Sequence, residues 1–287
     1  RGAEEGPARY AGLPHRAARC AGGGEEPGRR AWRVQYVRTR PPGPGPARPR
    51  DGADRERRLE ADQVNTLQSY IAGRWVGTRA AKPLASAING RVVAHTHEEG
   101  LDFAEAMAYA RGTALPSLLR THFQDRARVL KALAAYLLER KETLYAISAH
   151  TGATRSDSWI DIEGGIGTLF AYASIGGKDL PSSNVLHEGP PMRLGANNHF
   201  IGSHVLVPKR GVALHINAFN FPMWGMLEKF APSFLAGMPC LVKPATATSY
   251  VAEACVRLIV ESGLVPTGAL QLIIGGTGDL FERLDEA

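Results

Sequence analysis

Residues 211–250, GVALHINAFNFPMWGMLEKFAPSFLAGMPCLVKPATATSY, confine the chain to few folds, because two short apolar runs end in polar turns and enclose a helix-length segment. Val212, Leu214 and Ile216 adjoin a turn built on Asn217, Asn220 and Pro222, the pattern of a buried strand that stops abruptly. From Met223 to Leu235, apolar Met223, Met226, Leu227, Phe230 and Phe234 recur at helical spacing, and Gly237 supplies the stop. Cys240, Leu241 and Val242 predict a second strand, ended by Lys243 and Pro244. Thr248 or Ser249 is placed to cap another helix, with Val251, Ala254, Cys255, Leu258 and Ile259 on its apolar face. A third short strand is predicted over 270–274. This βαβαβ rhythm predicts an α/β fold: a Rossmann-type parallel sheet with helices on both faces. Ligands of such sheets bind at the carboxyl ends of the strands, where Asn220 and Lys243 stand.

Taken alone, these residues have plain readings. An asparagine in a strand-to-helix turn is commonly a turn former, Lys243 a solvated strand-end charge, and Thr246 or Thr248 a helix cap. Phe219, Phe221 and Trp224 fit a core as well as a channel. Gly275, Gly276 and Gly278 form G-G-T-G after a strand, a weak signal for a nucleotide and a good one for a tight turn.

The wording as a whole is more specific. I-N-A-F-N-F-P at 216–222, W-G-M-L-E-K at 224–229 and V-K-P-A-T-A-T at 242–248 resemble the aldehyde dehydrogenase superfamily, and the likeness runs from about Leu67 to Ala287. The run TGATRSDSWIDIEGGIGTL at 151–169 is similar to one branch, the bifunctional phenylacetate-degradation proteins that join an oxepin-CoA hydrolase to a 3-oxo-5,6-dehydrosuberyl-CoA semialdehyde dehydrogenase. A benzoyl-CoA-pathway semialdehyde dehydrogenase branch shares much of it.

The resemblance implies NAD(P)-dependent oxidation of a CoA-linked semialdehyde to its acid, by thiolate attack, hydride transfer and glutamate-assisted hydrolysis. Asn220 matches the family asparagine that holds the tetrahedral oxyanion, a contribution of roughly 3–4 kcal/mol by analogy with oxyanion-hole deletions. Lys243 matches the lysine that hydrogen-bonds the adenosine ribose. The cofactor contacts carried over are Ile216, Asn217, Ala218, Phe219, Asn220, Lys243, Pro244, Ala245, Thr246 and Gly275. Where NAD-preferring members commonly place a glutamate, this chain has Thr246, which removes the charge that would repel a 2′-phosphate. NADP is therefore the expected cofactor, with NAD tolerated.

Other family parts are not matched. Cys20, Cys240 and Cys255 are the three cysteines, and none stands where the family nucleophile would; Cys240 and Cys255 occupy apolar positions where a thiol is a small hydrophobe of raised pKa. In the family the nucleophile, the general-base glutamate and an F-T-G-S turn lie beyond the point where this sequence stops. The expectation is a truncated sheet: an amino-terminal fragment holding the cofactor half-site and inactive alone. The competing reading is a non-catalytic pseudoenzyme that binds nucleotide weakly or only associates with intact subunits.

Charge bears on nucleic acid. The net charge is +6, yet residues 1–58 carry 14 arginines, no lysine and 7 acidic residues, so this tail supplies +7 and the remainder −1. The tail is rich in Arg, Gly and Pro without apolar periodicity and is expected to be disordered. Its composition reads more readily as translated GC-rich sequence outside the native frame than as a nucleic-acid arm. Residues 59–287 are the expected folded part, with extended pieces in 181–210 that the resemblance assigns to an oligomerisation hairpin of a homo-oligomer. No apolar run approaches the roughly 20 residues a membrane helix needs, and three cysteines without a disulfide framework agree with a reducing cytoplasm. Helices are predicted over 102–112, 124–140, 141–150 and 157–172. Gly164, Gly165 and Gly167 in the last predict close packing against a neighbour. Asp157, Asp161 and Glu163 lack His or Cys partners at ligand spacing, so helix-start and solvated-face roles are expected and no metal.

Overall fold

The computed structural model describes residues 64–97 and 99–284. The expectations for residues 1–58 lie outside the described residues, as does Cys20.

Two short hairpins come first. β1 (Ser69–Ile71) pairs antiparallel with β2 (Arg74–Val76), and β3 (Ala80–Ala85) with β4 (Val92–His97). The Asn89-Gly90 turn between β3 and β4 works because Gly90 takes a φ of 71°, in the left-handed region. A helical layer follows: α1 (Phe103–Tyr109), α2 (Leu115–Arg120), α3 (Phe123–Glu139), α4 (Lys141–Ser148) and α5 (Arg155–Lys178). Each of the predicted helices is present. Asp102 caps α1 by accepting the Glu105 N–H, and Thr154 with Asp157 forms a reciprocal capping box that starts α5. The extended pieces in 181–210 are β5 (Leu186–Leu194) and β6 (Phe200–Leu206), an antiparallel hairpin exposed along nearly its whole length.

The central unit then appears as the opening stretch predicts: β7 (Ala213–Ile216), α6 (Trp224–Leu235), β8 (Cys240–Lys243), α7 (Ser249–Glu261) and β9 (Leu270–Leu272). β7, β8 and β9 are parallel, with Ala213 opposite Cys240 and Ile216 opposite Lys243. The sheet order is β2-β1-β9-β8-β7, so the β1–β2 hairpin extends the parallel core with antiparallel strands.

Alternation along β8 puts helices on both faces. Cys240 and Val242 join the main core with residues of α3, α5, α6 and α7, whereas Leu241 packs with Phe103, Ala106, Met107 and Ile273 beneath α1. One buried residue, Arg126 of α3, ties the first of these layers together. Its guanidinium donates to the carbonyls of Leu118, Thr121 and Leu235, at 2.8, 2.6 and 2.8 Å, and so stitches the ends of α2 and α6 to α3.

Strand β7 departs from the expected burial. Ile216 is exposed, while His215 is the buried residue of the strand, with Nε2 3.1 Å from the Ser233 hydroxyl of α6. β7 is an edge strand: His215 points to the covered side against α6, whereas Val212 and Leu214, with Ile216 on the opposite side, are only partly buried against the second core cluster. The threonine and serine after Lys243 are also used differently from a simple cap. Thr248 donates its hydroxyl to the Phe219 carbonyl at 3.0 Å and Ser249 donates to the Thr246 carbonyl at 2.9 Å.

Candidate functional site

The carboxyl ends of β7 and β8 lie side by side, which brings the expected residues of both into one place. The Asn217 N–H donates to the Lys243 carbonyl at 3.0 Å, continuing the ladder by one bond past β7. The Thr248 hydroxyl then holds the Phe219 carbonyl across the same gap. These two bonds fix the 217–220 turn over the 243–248 turn, so Ala218, Phe219 and Asn220 stand exposed beside Lys243, Pro244, Ala245 and Thr246. Gly275 follows β9, the next strand in the sheet, with a φ of 91° that a side chain would strain.

Lys243 is not the solvated charge that its type alone suggests. It is 8% exposed, its Nζ donates to the Pro244 carbonyl at 2.7 Å, and burial holds its pKa below the usual lysine value. An ammonium has three protons to donate and one is used here, leaving donors for hydroxyl or phosphate oxygens. Asn217 is buried as well, and neither its Nδ2 nor its Oδ1 has a partner among the described residues. A buried amide left so costs about 1–3 kcal/mol, which a bound water or a ligand group would offset. Thr246 is half-buried and carries no charge. The arrangement offers a dinucleotide a buried lysine beside an exposed turn at two adjacent strand ends.

The start of α6, which carries the turn on, is held from a distance. Asp161 of α5 is buried, and its Oδ1 accepts the N–H groups of Trp224 at 2.7 Å and Met223 at 3.1 Å. The solvated-face role expected for Asp161 is thus corrected: the residue faces inward because α6 begins against that side of α5. Desolvation raises its pKa to about 6, against the lowering effect of those two N–H donors. Asp157 is the capping residue expected, and Glu163 is half-buried, accepting from Lys141 at 2.9 Å and the Tyr145 hydroxyl at 2.8 Å. Among the described residues no group of three His, Cys, Asp or Glu is arranged to hold a metal.

The glycines of α5 divide. A Cβ on Gly164 would lie 3.1 Å from the Trp224 ring and one on Gly165 3.0 Å from the Trp224 Cα, whereas Gly167 has nothing within 4 Å. Phe221 stacks at a tilt against Trp224, ring centroids 6.0 Å apart, and forms an aromatic ledge next to Asn220.

Cys240 and Cys255 are fully buried, and desolvation pushes both thiols well above the usual range. Neither is placed to attack a carbonyl. A cavity of about 600 Å³ lies elsewhere, lined by residues such as Gln68, Arg91, His150, Glu253 and Arg257, and touches none of the strand-end residues.

Two features had no signal in a single sequence. Asp161 and Met223 are 62 residues apart. Ser69, whose Oγ accepts the Ile274 N–H at 2.9 Å just before Gly275 and lies 2.8 Å from His97 Nε2, is 205 residues from Ile274.

The same architecture and wording recur in known proteins. The chain is 37% identical over 222 residues to 3,4-dehydroadipyl-CoA semialdehyde dehydrogenase of Aromatoleum evansii, covering 77% of this chain and 43% of that protein. It is 29% identical over 218 residues to malonate-semialdehyde dehydrogenase 1 of Geobacillus thermodenitrificans, covering 74% and 42%. Among solved structures, 3,6-anhydro-L-galactose dehydrogenase in complex with NAP shares the fold with a TM-score of 0.63 at 23% identity, over 74% of this chain and 43% of that one. Betaine aldehyde dehydrogenase of Staphylococcus aureus in complex with NAD+ does so with 0.60 at 21%, over 75% and 42%. The chain therefore spans less than half the length of these relatives. The profile of the aldehyde dehydrogenase family matches residues 75–286, which takes in every strand-end residue described above, and on that match the chain belongs to the aldehyde dehydrogenase family.

Proposed function

We propose that this chain provides the dinucleotide-binding half of an NADP-preferring dehydrogenase that oxidises a CoA-linked semialdehyde to the acid. The observation that carries the reading is the juxtaposition of the 217–220 turn with Lys243 and Thr246 at two parallel strand ends, tied by the Asn217 N–H to Lys243 carbonyl bond. A bound nicotinamide dinucleotide supplies the hydride acceptor. Lys243 donates to the ribose oxygens, Ile216 to Asn220 and Pro244 to Thr246 shape the groove, and Gly275 lets the backbone approach closely. Asn220, exposed at the tip of the turn, donates its amide N–H to the oxygen that becomes negative when the aldehyde is attacked.

The substrate class rests on the relative from Aromatoleum evansii, whose name specifies a CoA-linked semialdehyde. It is the chemistry common to the phenylacetate and benzoyl-CoA branches of aromatic degradation. The buried state of Cys240 and Cys255 argues that neither is the nucleophile, so the described residues bind and orient rather than attack. The free state of both cysteines fits a reducing cytoplasm. The β5–β6 hairpin, with Phe200 72% and Ile201 73% exposed, fits a homo-oligomeric contact.

Isothermal titration of the chain with NADP+ and NAD+ tests the reading. NADP+ is expected to bind more tightly, and Thr246→Glu to reverse the order through repulsion of the 2′-phosphate. A preference for NAD+ in the unmodified chain, or no change in Thr246→Glu, overturns the NADP assignment.

A further inference from the structure

Among the described residues Asn220 has no hydrogen-bonded partner that would hold its position, so its turn is held from both ends. At one end the Thr248 hydroxyl grips the Phe219 carbonyl. At the other, α6 begins with Met223 as its N-cap and Trp224 as its first residue, and Asp161 of α5 accepts both N–H groups. A helix N-terminus has unpaired N–H donors and a partial positive charge, and a buried carboxylate from a neighbouring helix satisfies both. Gly164 and Gly165, one turn further along α5, make the seat: added Cβ atoms would stand 3.1 Å from the Trp224 ring and 3.0 Å from the Trp224 Cα. The carboxylate and the glycines thus set both the distance and the orientation of the first turn of α6 relative to α5.

We propose that Asp161 is a positioning residue for Asn220, its carboxylate anchoring the first turn of α6 so that the 217–222 turn presents the Asn220 amide in one fixed direction. The inference rests on the reading of Asn220 as the oxyanion donor, and it adds a residue that touches neither cofactor nor substrate. It also gives the site a sensitivity to protons. Ionised Asp161 makes charge-assisted bonds to the two N–H groups; the protonated acid makes weaker ones. Met223 and Trp224 face it from α6 with backbone donors, and the ionisable group facing it from α7 is Cys255, whose thiol stays protonated because burial, and the carboxylate itself, push it up. The titration is that of Asp161, centred near pH 6.

The test is a ¹⁵N–¹H correlation spectrum of the labelled chain between pH 4.5 and 8, together with NADP+ affinity. In the unmodified chain the backbone amides of Met223 and Trp224 and the side-chain amide of Asn220 are expected to shift together with one midpoint near pH 6. Asp161→Asn, which keeps an acceptor without the charge, is expected to leave these resonances in place and abolish their titration. Asp161→Ala is expected to displace all three and to weaken NADP+ binding about tenfold. Glu163→Gln, a change on the same helix that touches Lys141 and Tyr145 instead, is expected to leave all three unchanged. Titration of Met223 and Trp224 with a still Asn220 would overturn the proposal and leave Asp161 a helix cap only. An Asn220 midpoint that persists in Asp161→Asn would overturn it too. If Asp161→Ala does not fold, the unmodified chain and Asp161→Asn carry the decision. Failure of the unmodified chain to bind NADP+ would count against the dinucleotide reading alone, because the amide titration is read without cofactor.

Discussion

Lys243 and His215 show how burial changes the meaning of a residue type. Lys243 lies buried next to the backbone of a strand end, where desolvation lowers its pKa, and replacement by methionine removes the donor while keeping the stem. Lys243→Met is expected to weaken NADP+ binding by about 1.5–3 kcal/mol, the range for a hydrogen bond to a charged group, with little change in the urea midpoint; calorimetry on both proteins checks it. His215 and Asp161 shift stability in opposite directions. Burial, with Lys229 adding to it, holds the His215 imidazole at about 4, so the unfolded chain takes up a proton from near pH 6.5 downward while the fold resists. That contribution is present above pH 6.5 and is lost as pH falls toward 4. Asp161, raised to about 6, binds its proton more tightly in the fold, so its contribution is present below pH 4 and is lost as pH rises through 6. Each amounts to about 3 kcal/mol across its window, and the two nearly cancel between pH 4 and 6.5. Asp161→Asn is therefore expected to gain stability with rising pH over that range, and His215→Gln to lose it. Urea denaturation at pH 4.5, 5.5 and 6.5 measures both slopes, and equal slopes in the two variants would contradict the assignment.

At the scale of elements, the wording of residues 211–250 was legible because strand, turn and helix leave local signatures. Apolar alternation, Pro222 and Gly237 act within a few residues, and the resulting β7–α6–β8 unit has the predicted ends to within a residue or two. What joins the elements was not legible. Nothing local marks Arg126 as the donor to the carbonyls of Leu118, Thr121 and Leu235, and Asp161 reads as solvated until α6 arrives. Ile216 reads as core because an alternating run does not say which face of an edge strand is covered. The glycines of α5 were half legible: close packing is real at Gly164 and Gly165 and absent at Gly167. A second tight position, Gly176, would place a Cβ 2.6 Å from Leu235 Cδ1 and 2.8 Å from the Ala127 Cβ, where α3, α5 and α6 meet. Gly176→Ala is expected to cost about 1–3 kcal/mol by overpacking, whereas Gly167→Ala, in open space, is expected to gain up to about 1 kcal/mol from helix propensity. Urea midpoints of the two variants at one pH separate them by sign.

On the scale of the whole molecule, two surfaces set how the described residues meet other chains. β7 pairs among the described residues with β8 alone, leaving one strand edge open. The β5–β6 hairpin exposes Met192, Leu194, Phe200, Ile201, Val205 and Leu206. If that hairpin is the homo-oligomeric contact proposed above, Phe200→Ser with Ile201→Ser is expected to lower the mass measured by light scattering while leaving NADP+ affinity unchanged. Among the described residues no helix is long and apolar enough to cross a membrane. The site itself is assembled from β7, β8 and β9 and their following turns, and shares no residue with the 600 Å³ cavity near Glu253 and Arg257. The central claim is that a dinucleotide sits at those strand ends. It is tested most directly by mapping amide shifts of the labelled chain on addition of NADP+: the account predicts changes concentrated at 216–220, 243–246 and 275, and changes centred instead on the cavity residues 250–257, or none at saturating NADP+, would contradict it.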